Sequence, residues 1–482
     1  MVKGGFALLC GAALAAVLAV PASADTLKEA LAEAYRNNPT LESARAQQRA
    51  LDENVPIERA DGLPSVSGTA SYFEFLEGQG NAARSAGAGI DLGVPLYTGG
   101  AVRRSVQAAE TRVEAGRADL RGTESFLFTQ VVGAYMDVIQ NEAIVGLSQA
   151  NVNVLQVNFE ATGDRFEIGD LTLTDVAQSE SRLALSRSDL RSAQSNLINA
   201  RERYIQLVGS EPDDLQPPPP LPGLPTSPEE AVAIALDNNP DLIAAVERAR
   251  AAGLDVDIAR AGRLPRVEGF VNAGYDNTLG SVDTDGLPVG VVVTDGSTTV
   301  TAGVRASIPI FTGGRTGAFI RQSQARREAA LEQVIAVERD IIAQVRGAYA
   351  SWEAANAIIA STQVAVDAAE LSLEGVRAEN SVGNRTVLDV LNAEQELLRS
   401  RVQLVTARRN AYVAGFSLLA AMGRAEARDL GLEEYGPLYD PALNLERVRG
   451  QVWDWSNDPD PVASATRTVD TEAQDGEISD QP

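Results

Sequence analysis

Hydrophobic and polar residues along this chain follow two distinct rhythms. Over residues 86–96 they alternate strictly. Ala86, Ala88, Ile90, Leu92, Val94 and Leu96 fall on one face, with Gly87, Gly89, Asp91 and Gly93 on the other. Over 300–310 the same alternation returns, with Val300, Ala302, Val304, Ala306, Ile308 and Ile310 set against Thr301, Gly303, Arg305 and Ser307. Period-two patterning predicts β-strands, and their partners fall at about Val66–Phe75 and Val267–Tyr275. The second rhythm steps by four and three. Leu127, Val131, Ala134, Val138, Asn141, Val145, Ser148 and Val152 trace it in one place, and Ile341, Val345, Ala348, Trp352, Ala355, Ile359, Thr362 and Val366 in another. It predicts coiled-coil helices. From about Gly99 to Ile168 no proline interrupts the pattern, so that helix should reach on the order of 100 Å. Return helices keep the seam through Val390, Ala393, Leu397, Ser400, Leu404, Ala407 and Ala411. Many seam positions are Ala or Ser, which favours close approach but makes a thin two-helix core. Such helices need neighbours on both sides.

Both rhythms occur twice because the sequence is duplicated. Asn37-Asn38-Pro39-Thr40-Leu41 returns as Asn238-Asn239-Pro240-Asp241-Leu242, and Val94-Pro95-Leu96-Tyr97-Thr98-Gly99-Gly100 as Ile308-Pro309-Ile310-Phe311-Thr312-Gly313-Gly314. Gly169, Thr172, Asp175, Glu180, Leu183 and Gly209 match Gly383, Thr386, Asp389, Glu394, Leu397 and Gly423. Each copy reads helix, strand, strand, long helix, turn, helix. Capping boxes at Thr26–Glu29 and Ser227–Glu230 open the first helix of each. The resulting division is 1–24 signal peptide, 25–210 first repeat, 211–228 proline-rich linker, 229–423 second repeat, and 424–482 an acidic C-terminal tail, largely disordered. Four consecutive prolines at 217–220 predict a stiff linker that holds the copies at a distance.

Residues 1–24 carry Lys3, an apolar run from Phe6 to Val20 and Ala22-Ser23-Ala24, the order of a secretory leader. Cys10, the only cysteine, lies inside that run behind Leu9 and does not fit a lipoprotein signal. The exported part then holds no disulfide. No other stretch has the roughly 20 apolar residues of a membrane helix. Ten-residue strands with one apolar face suit an outer-membrane barrel, although a half-buried sheet of a soluble domain would alternate in the same way. Four strands cannot close a barrel, for which about eight is the practical minimum. A barrel here has to be shared by several chains.

Net charge is −25, which disfavours nucleic acid as a partner. Histidine is absent, which removes the commonest general base and metal ligand. No nucleophile–base pair or ligand cluster stands out, so neither an enzyme nor a cofactor is expected. The segment Asp276 to Ser297, present in the second copy alone, fits an extracellular loop in which Val291-Val292-Val293 is a short strand or a surface patch.

Taken together, the duplicated Asn-Pro-x-Leu start, Tyr/Phe-Thr-Gly-Gly strand exit and Gly-x-x-Thr-x-x-Asp-Val hairpin tip resemble the TolC family. Val382 to Leu391 is the most specific piece. The resemblance covers nearly all of the chain between the leader and about Gly423. It implies a mainly α protein with a β-barrel part. Three protomers would share a 12-stranded outer-membrane barrel, embedded in lipid, and a long periplasmic helical tunnel. It further implies a passive export duct for efflux or type I secretion, docked to a periplasmic adaptor and to an inner-membrane transporter, ABC or proton-driven. The alternative is a periplasmic or surface coiled-coil protein that forms no channel.

At the tip, the resemblance places the closing contacts on Thr174 and Asp175 of the first hairpin and Arg385 of the second. Asn380 stands where the family has a tyrosine. Asp389 matches the first of two entrance carboxylates, and Asn392 replaces the second. Capping alone also explains Asp175 and Asp389, each three residues after a threonine. Gly169 and Gly383 read as hairpin-tip turns, and Gly99-Gly100 and Gly313-Gly314 as strand-to-helix bends.

Overall fold

The structure, a computed structural model, describes residues 26–76, 84–282 and 294–478. Among these, three helices precede the first strand pair: α1 (Leu27–Asn37), α2 (Pro39–Asp52) and α3 (Asn54–Ala60). Strands β1 (Ser65–Glu74) and β2 (Arg84–Tyr97) lead into α4 (Ala101–Glu167), which turns into α5 (Leu173–Val208). The second copy repeats this with α6 (Pro228–Asn238), α7 (Pro240–Ala261), β3 (Arg266–Asn277), β4 (Gly296–Ser307), α8 (Arg315–Ser381) and α9 (Val387–Ala421). A 3-10 turn (Leu432–Tyr435) and α10 (Pro441–Val448) follow. The helix starts follow local chemistry. Thr26, Thr172 and Thr386 close reciprocal capping boxes, and Asn38 and Asn239 cap helices whose first residue is proline.

Helices α4 and α8 have the same length, 67 residues, which corresponds to about 100 Å each. Most of the predicted seam is buried in α4, at Leu127, Val131, Ala134, Val138, Val145, Ser148, Val152 and Leu155, while Asn141 is half-buried. Each long helix pairs along its distal half with the return helix of its own hairpin, α5 or α9. Along its proximal half α4 is flanked by α2 and α3 on one side and by α7 on the other, and α7 bridges α4 to α8. Ion pairs fix α7 on α4, with Arg112 to Asp255 at 2.6 Å and further pairs Arg104–Asp257 and Arg248–Asp119.

The four strands form one antiparallel sheet in the order β1-β2-β3-β4. Its register puts Leu92 opposite both Val66 and Val271, and Val271 opposite Ala302. One face therefore carries most of the aliphatic residues, including Ile90, Val300 and Val304, all strongly exposed in the single chain, while Phe73 and Phe270 lie on the other. The other face carries Ser67, Thr69, Asp91, Glu268, Asn272, Thr301 and Arg305. The outer edges of β1 and β4 pair with nothing among the described residues. Strand β4 ends at Ser307, three residues short of the expected Ile310. Strand β2 runs through Pro95 to Tyr97 because β3 supports it across a bulge, whereas β4 has no outer neighbour and meets Pro309.

Two expectations change. The linker does not hold the copies apart. It lies across the helices, with Leu215 buried and Leu221 packed against both main hydrophobic clusters. Its carbonyls accept from side chains of both copies, Gln216 from Tyr135 at 2.6 Å and Pro219 from Tyr412 at 3.3 Å. The prolines at 217–220 bring no N–H groups to satisfy, so hydroxyls on the helices suffice for the carbonyls of this stretch. The segment after Gly423, expected to be largely disordered, folds as far as α10. Ala425, Ala427, Leu432 and Val448 are buried, and Tyr439 N–H donates to the Tyr35 hydroxyl. From Arg449 to Ile478 the chain has neither helix nor strand. Val291-Val292-Val293 lies outside the described residues.

Candidate functional site

The two hairpin tips are built alike. Chain reversal after α4 uses Gly169 at φ +82°, and after α8 Gly383 at φ +83°. This left-handed backbone strains any residue with a Cβ. The next helix then starts on a threonine cap. Thr172 Oγ1 and N–H both donate to Asp175 Oδ2, at 2.7 and 2.9 Å, and Thr386 does the same to Asp389 at 2.8 and 3.0 Å. These hydrogen bonds to the threonines hold both carboxyls below the usual aspartate range. Both aspartates thus act as caps and remain partly exposed charges at the end of the protein farthest from the sheet. Thr174 is exposed in the first turn of α5.

Arg385 turns inward on its own hairpin. Its Nε donates to Glu379 Oε2 at 2.7 Å, and its backbone carbonyl accepts from Asn380 Nδ2 at 2.8 Å. The hydrogen bond and charge of Glu379, with that of Asp389, raise the guanidinium pKa. Within one chain the structure brings Arg385, Asn380 and Asp389 together and does not bring Asp175 to Arg385.

The bonds that join the two hairpins nearest the tip lie on one turn of α9, with Gln140–Thr406 and Arg409–Asp137 joining α4 to α9 further along. Arg182 of α5 donates to Asn392 Oδ1 at 2.9 Å and to Gln395 Oε1. Asn158 of α4 donates to both oxygens of Glu394 at 3.0 Å, and Arg377 of α8 adds a third contact at 3.0 Å. Glu394 is the buried charge of this junction, its side chain 5% exposed. Asn392, placed in the sequence as a missing carboxylate, is occupied as the acceptor for a cation. Sequence reasoning missed Arg182, Asn158 and Gln395. Glu394 was visible only as the repeat partner of Glu180, which is exposed. The signal lay in that asymmetry, since only Glu394 faces a polar residue of the other hairpin.

At the other end, Gly99 and Gly100 have φ +68° and +78°, and Gly313 and Gly314 +61° and +82°; the second of each pair caps a long helix. These bends aim the helices away from the sheet.

Sheet, bends, long helices and tips form one continuous path through both copies. The family profile described as Outer membrane efflux protein matches residues 30–210 and 231–424. The chain belongs to the outer membrane efflux protein family. The two matched segments are the two structural copies, and the linker falls between them. The chain is 37% identical over 421 residues to the outer membrane efflux protein BepC of Brucella suis, covering 86% of this chain and 90% of that one. It is 26% identical to the outer membrane protein TolC of Vibrio cholerae, covering 84% and 92%. The CmeC outer membrane channel of Campylobacter jejuni superposes with a TM-score of 0.71 at 17% identity, over 88% of this chain and 89% of that one. Members of this family are channels of the outer membrane with a helical periplasmic part, and not enzymes. The present chain is such a channel protein, of the kind that serves efflux and type I secretion.

Proposed function

We propose that three copies close the channel. In this reading twelve strands complete one barrel in lipid, and the long hairpins form one periplasmic tunnel. The observation that carries it is the open sheet: among the described residues, two unpaired edges flank four strands whose aliphatic residues lie mostly on a single face. An open edge of this kind has to be paired or covered in a membrane. Export through the tunnel is passive and is controlled by the tips. Asp175 and Thr174 of one protomer meet Arg385 of the next, while Arg182 and Glu394 hold the two hairpins of each protomer together. Opening requires both sets to release, driven by docking of a periplasmic adaptor that couples the duct to an inner-membrane transporter. The name of BepC favours efflux as the working assignment.

Single-channel recording of the detergent-purified protein in planar bilayers tests this. The wild type should show small, cation-selective currents, and Arg385→Ser should raise conductance several-fold. Unchanged conductance would remove Arg385 from the gate. Arg182→Ala should add to the effect of Arg385→Ser, because the two act at different levels of the tip.

A further inference from the structure

The chain after Gly423 runs up the outside of the helices and then back down. Its upward course is fixed by contacts with successively more membrane-proximal residues of the first copy. Tyr439 meets Tyr35 and the Arg45 guanidinium, Asn444 donates to Asp52 at 2.8 Å, and Leu445 packs with Val55, Ala109 and Val113. Arg449 then pairs with Glu110 at 2.5 Å while its carbonyl accepts from Arg59. Arg59 lies six residues before β1 begins, and Glu110 lies nine residues, about 14 Å, past the first residue of α4. Residue 449 therefore reaches the region just below the periplasmic rim of the sheet.

From there the chain makes a closed loop. Its base is the pair Arg447–Asp458 at 2.8 Å, and a turn at its end joins Ser456 N–H to the Trp453 carbonyl. The chain then descends, with Ser464 reaching Glu42 and Asp475 reaching Arg201. At the end of the loop Val452, Trp453 and Trp455 are 64, 71 and 83% exposed. Two of the three tryptophans of the chain stand there. Four residues of extended chain span about 13 Å, enough to carry Trp453 from the level of Glu110 to that of the rim.

We propose that the loop 450–457 is a membrane-interface anchor, its Trp453 and Trp455 seated in the phospholipid headgroup layer beside the barrel. This rests on the barrel being embedded in the outer membrane. Indole suits that layer because it joins a large apolar surface to one N–H donor, and both indoles gain by leaving water. Asp454, between them, keeps the loop at headgroup depth, since a carboxylate does not enter hydrocarbon. Arg449, exposed at the base, and the half-buried Arg59 beside it suit anionic headgroups. The anchor pins the end of α10 to the membrane and ties the outer wall of the tunnel to the bilayer plane.

The full-length protein, reconstituted in phosphatidylethanolamine–phosphatidylglycerol vesicles with lipids brominated near the headgroup, tests this by tryptophan quenching. Trp352 is the internal reference, because it lies 37 residues, about 55 Å, along α8 from the sheet side. Wild-type emission should be strongly quenched, Trp352→Phe protein more completely, and Trp453→Ser/Trp455→Ser protein hardly at all. Equal quenching of the wild type and the double variant, in vesicles that carry protein and conduct, would overturn the anchor and leave the channel standing. Protein that fails to float with the vesicles would instead overturn the membrane reading on which the anchor rests.

Discussion

At the scale of single residues, the least conventional group is Glu124 of α4. It is enclosed where the end of the second copy folds back on the first, and it accepts a hydrogen bond from the Ala427 N–H. Burial pushes its carboxyl up to about 7, opposed by the Ala427 bond and helped by Glu426, with Arg45 and Arg121 opposing it less. Tyr35 faces it as well, and Glu426 is itself engaged by Arg121 at 2.7 Å. An acid whose folded pKa lies above its unfolded value stabilises the fold fully below the unfolded value, and that contribution is lost as pH rises through the folded one. The window here runs from 4.5 to about 7, a shift that corresponds to about 3 kcal/mol. Thermal melting should therefore fall as pH rises across this window in the wild type. Glu124→Gln, which keeps the acceptor without the charge, should flatten the dependence and melt higher at pH 8. An unchanged pH profile in the variant would assign the dependence to other groups. Nothing in the sequence singled out Glu124, because its partner is a backbone N–H 303 positions away. The capping aspartates were legible, since threonine and carboxylate three apart form a local device. Arg182 was not, because its acceptors come from another helix.

At the scale of elements, the sequence was most informative where a single periodicity runs long. The seam of α4 and the alternation of β2 appear in the structure at the predicted positions, because each is dictated by one face that has to leave water. Element ends were less legible where an outside neighbour decides them, as at Ile308–Ile310. The proline-rich linker misled for a related reason. Its composition specifies stiffness, but the apolar Leu215 and Leu221 specify contact, and contact prevailed. The sheet allows a direct test of which face meets lipid. Val304 stands on the apolar face, and Thr301, three residues earlier, on the other. Val304→Arg should destabilise the inserted form by about 2 kcal/mol or more, as an arginine in the lipid-facing band does. Thr301→Arg should insert normally and shift ion selectivity away from cations, by adding a positive charge opposite Asn272 on the face that carries Asp91 and Glu268. Heat-modifiability on gels and reversal potentials in bilayers read the two effects. Equal damage from both would mean that the sheet does not separate lipid from water.

At the scale of the whole molecule, the two long helices show what a single chain lacks. They match in length and pattern, yet α4 is buried along most of its seam whereas α8 keeps only Ile320, Ile341, Val345, Ala355, Val366, Ala369 and Leu373 buried. Phe319, Leu331, Ile335 and Ile358 of α8 are exposed. The reason is positional. Helix α4 has α2 and α3 of its own copy on one flank and α7 of the other copy on the other, whereas α8 has α6 and α7 of its own copy, and its open flank among the described residues corresponds to the one that α7 covers on α4. In the proposed trimer the α2 of a neighbouring protomer takes that place, and the duplication fixes the register. Position 248 of α7 corresponds to position 47 of α2, as 238 does to 37, and position 119 of α4 corresponds to 333 of α8, as 99 does to 313. The ion pair Arg248–Asp119 within a chain therefore maps onto Gln47 of one protomer facing Gln333 of the next. Both glutamines are exposed in the single chain. Cysteines at 47 and 333 should cross-link between protomers under mild oxidation, giving a ladder on denaturing gels that ends at three chains, with Cys10, the one native cysteine, replaced by serine. A ladder that stops at two or continues past three would rule out threefold closure. No cross-link at all would place a different element against α8.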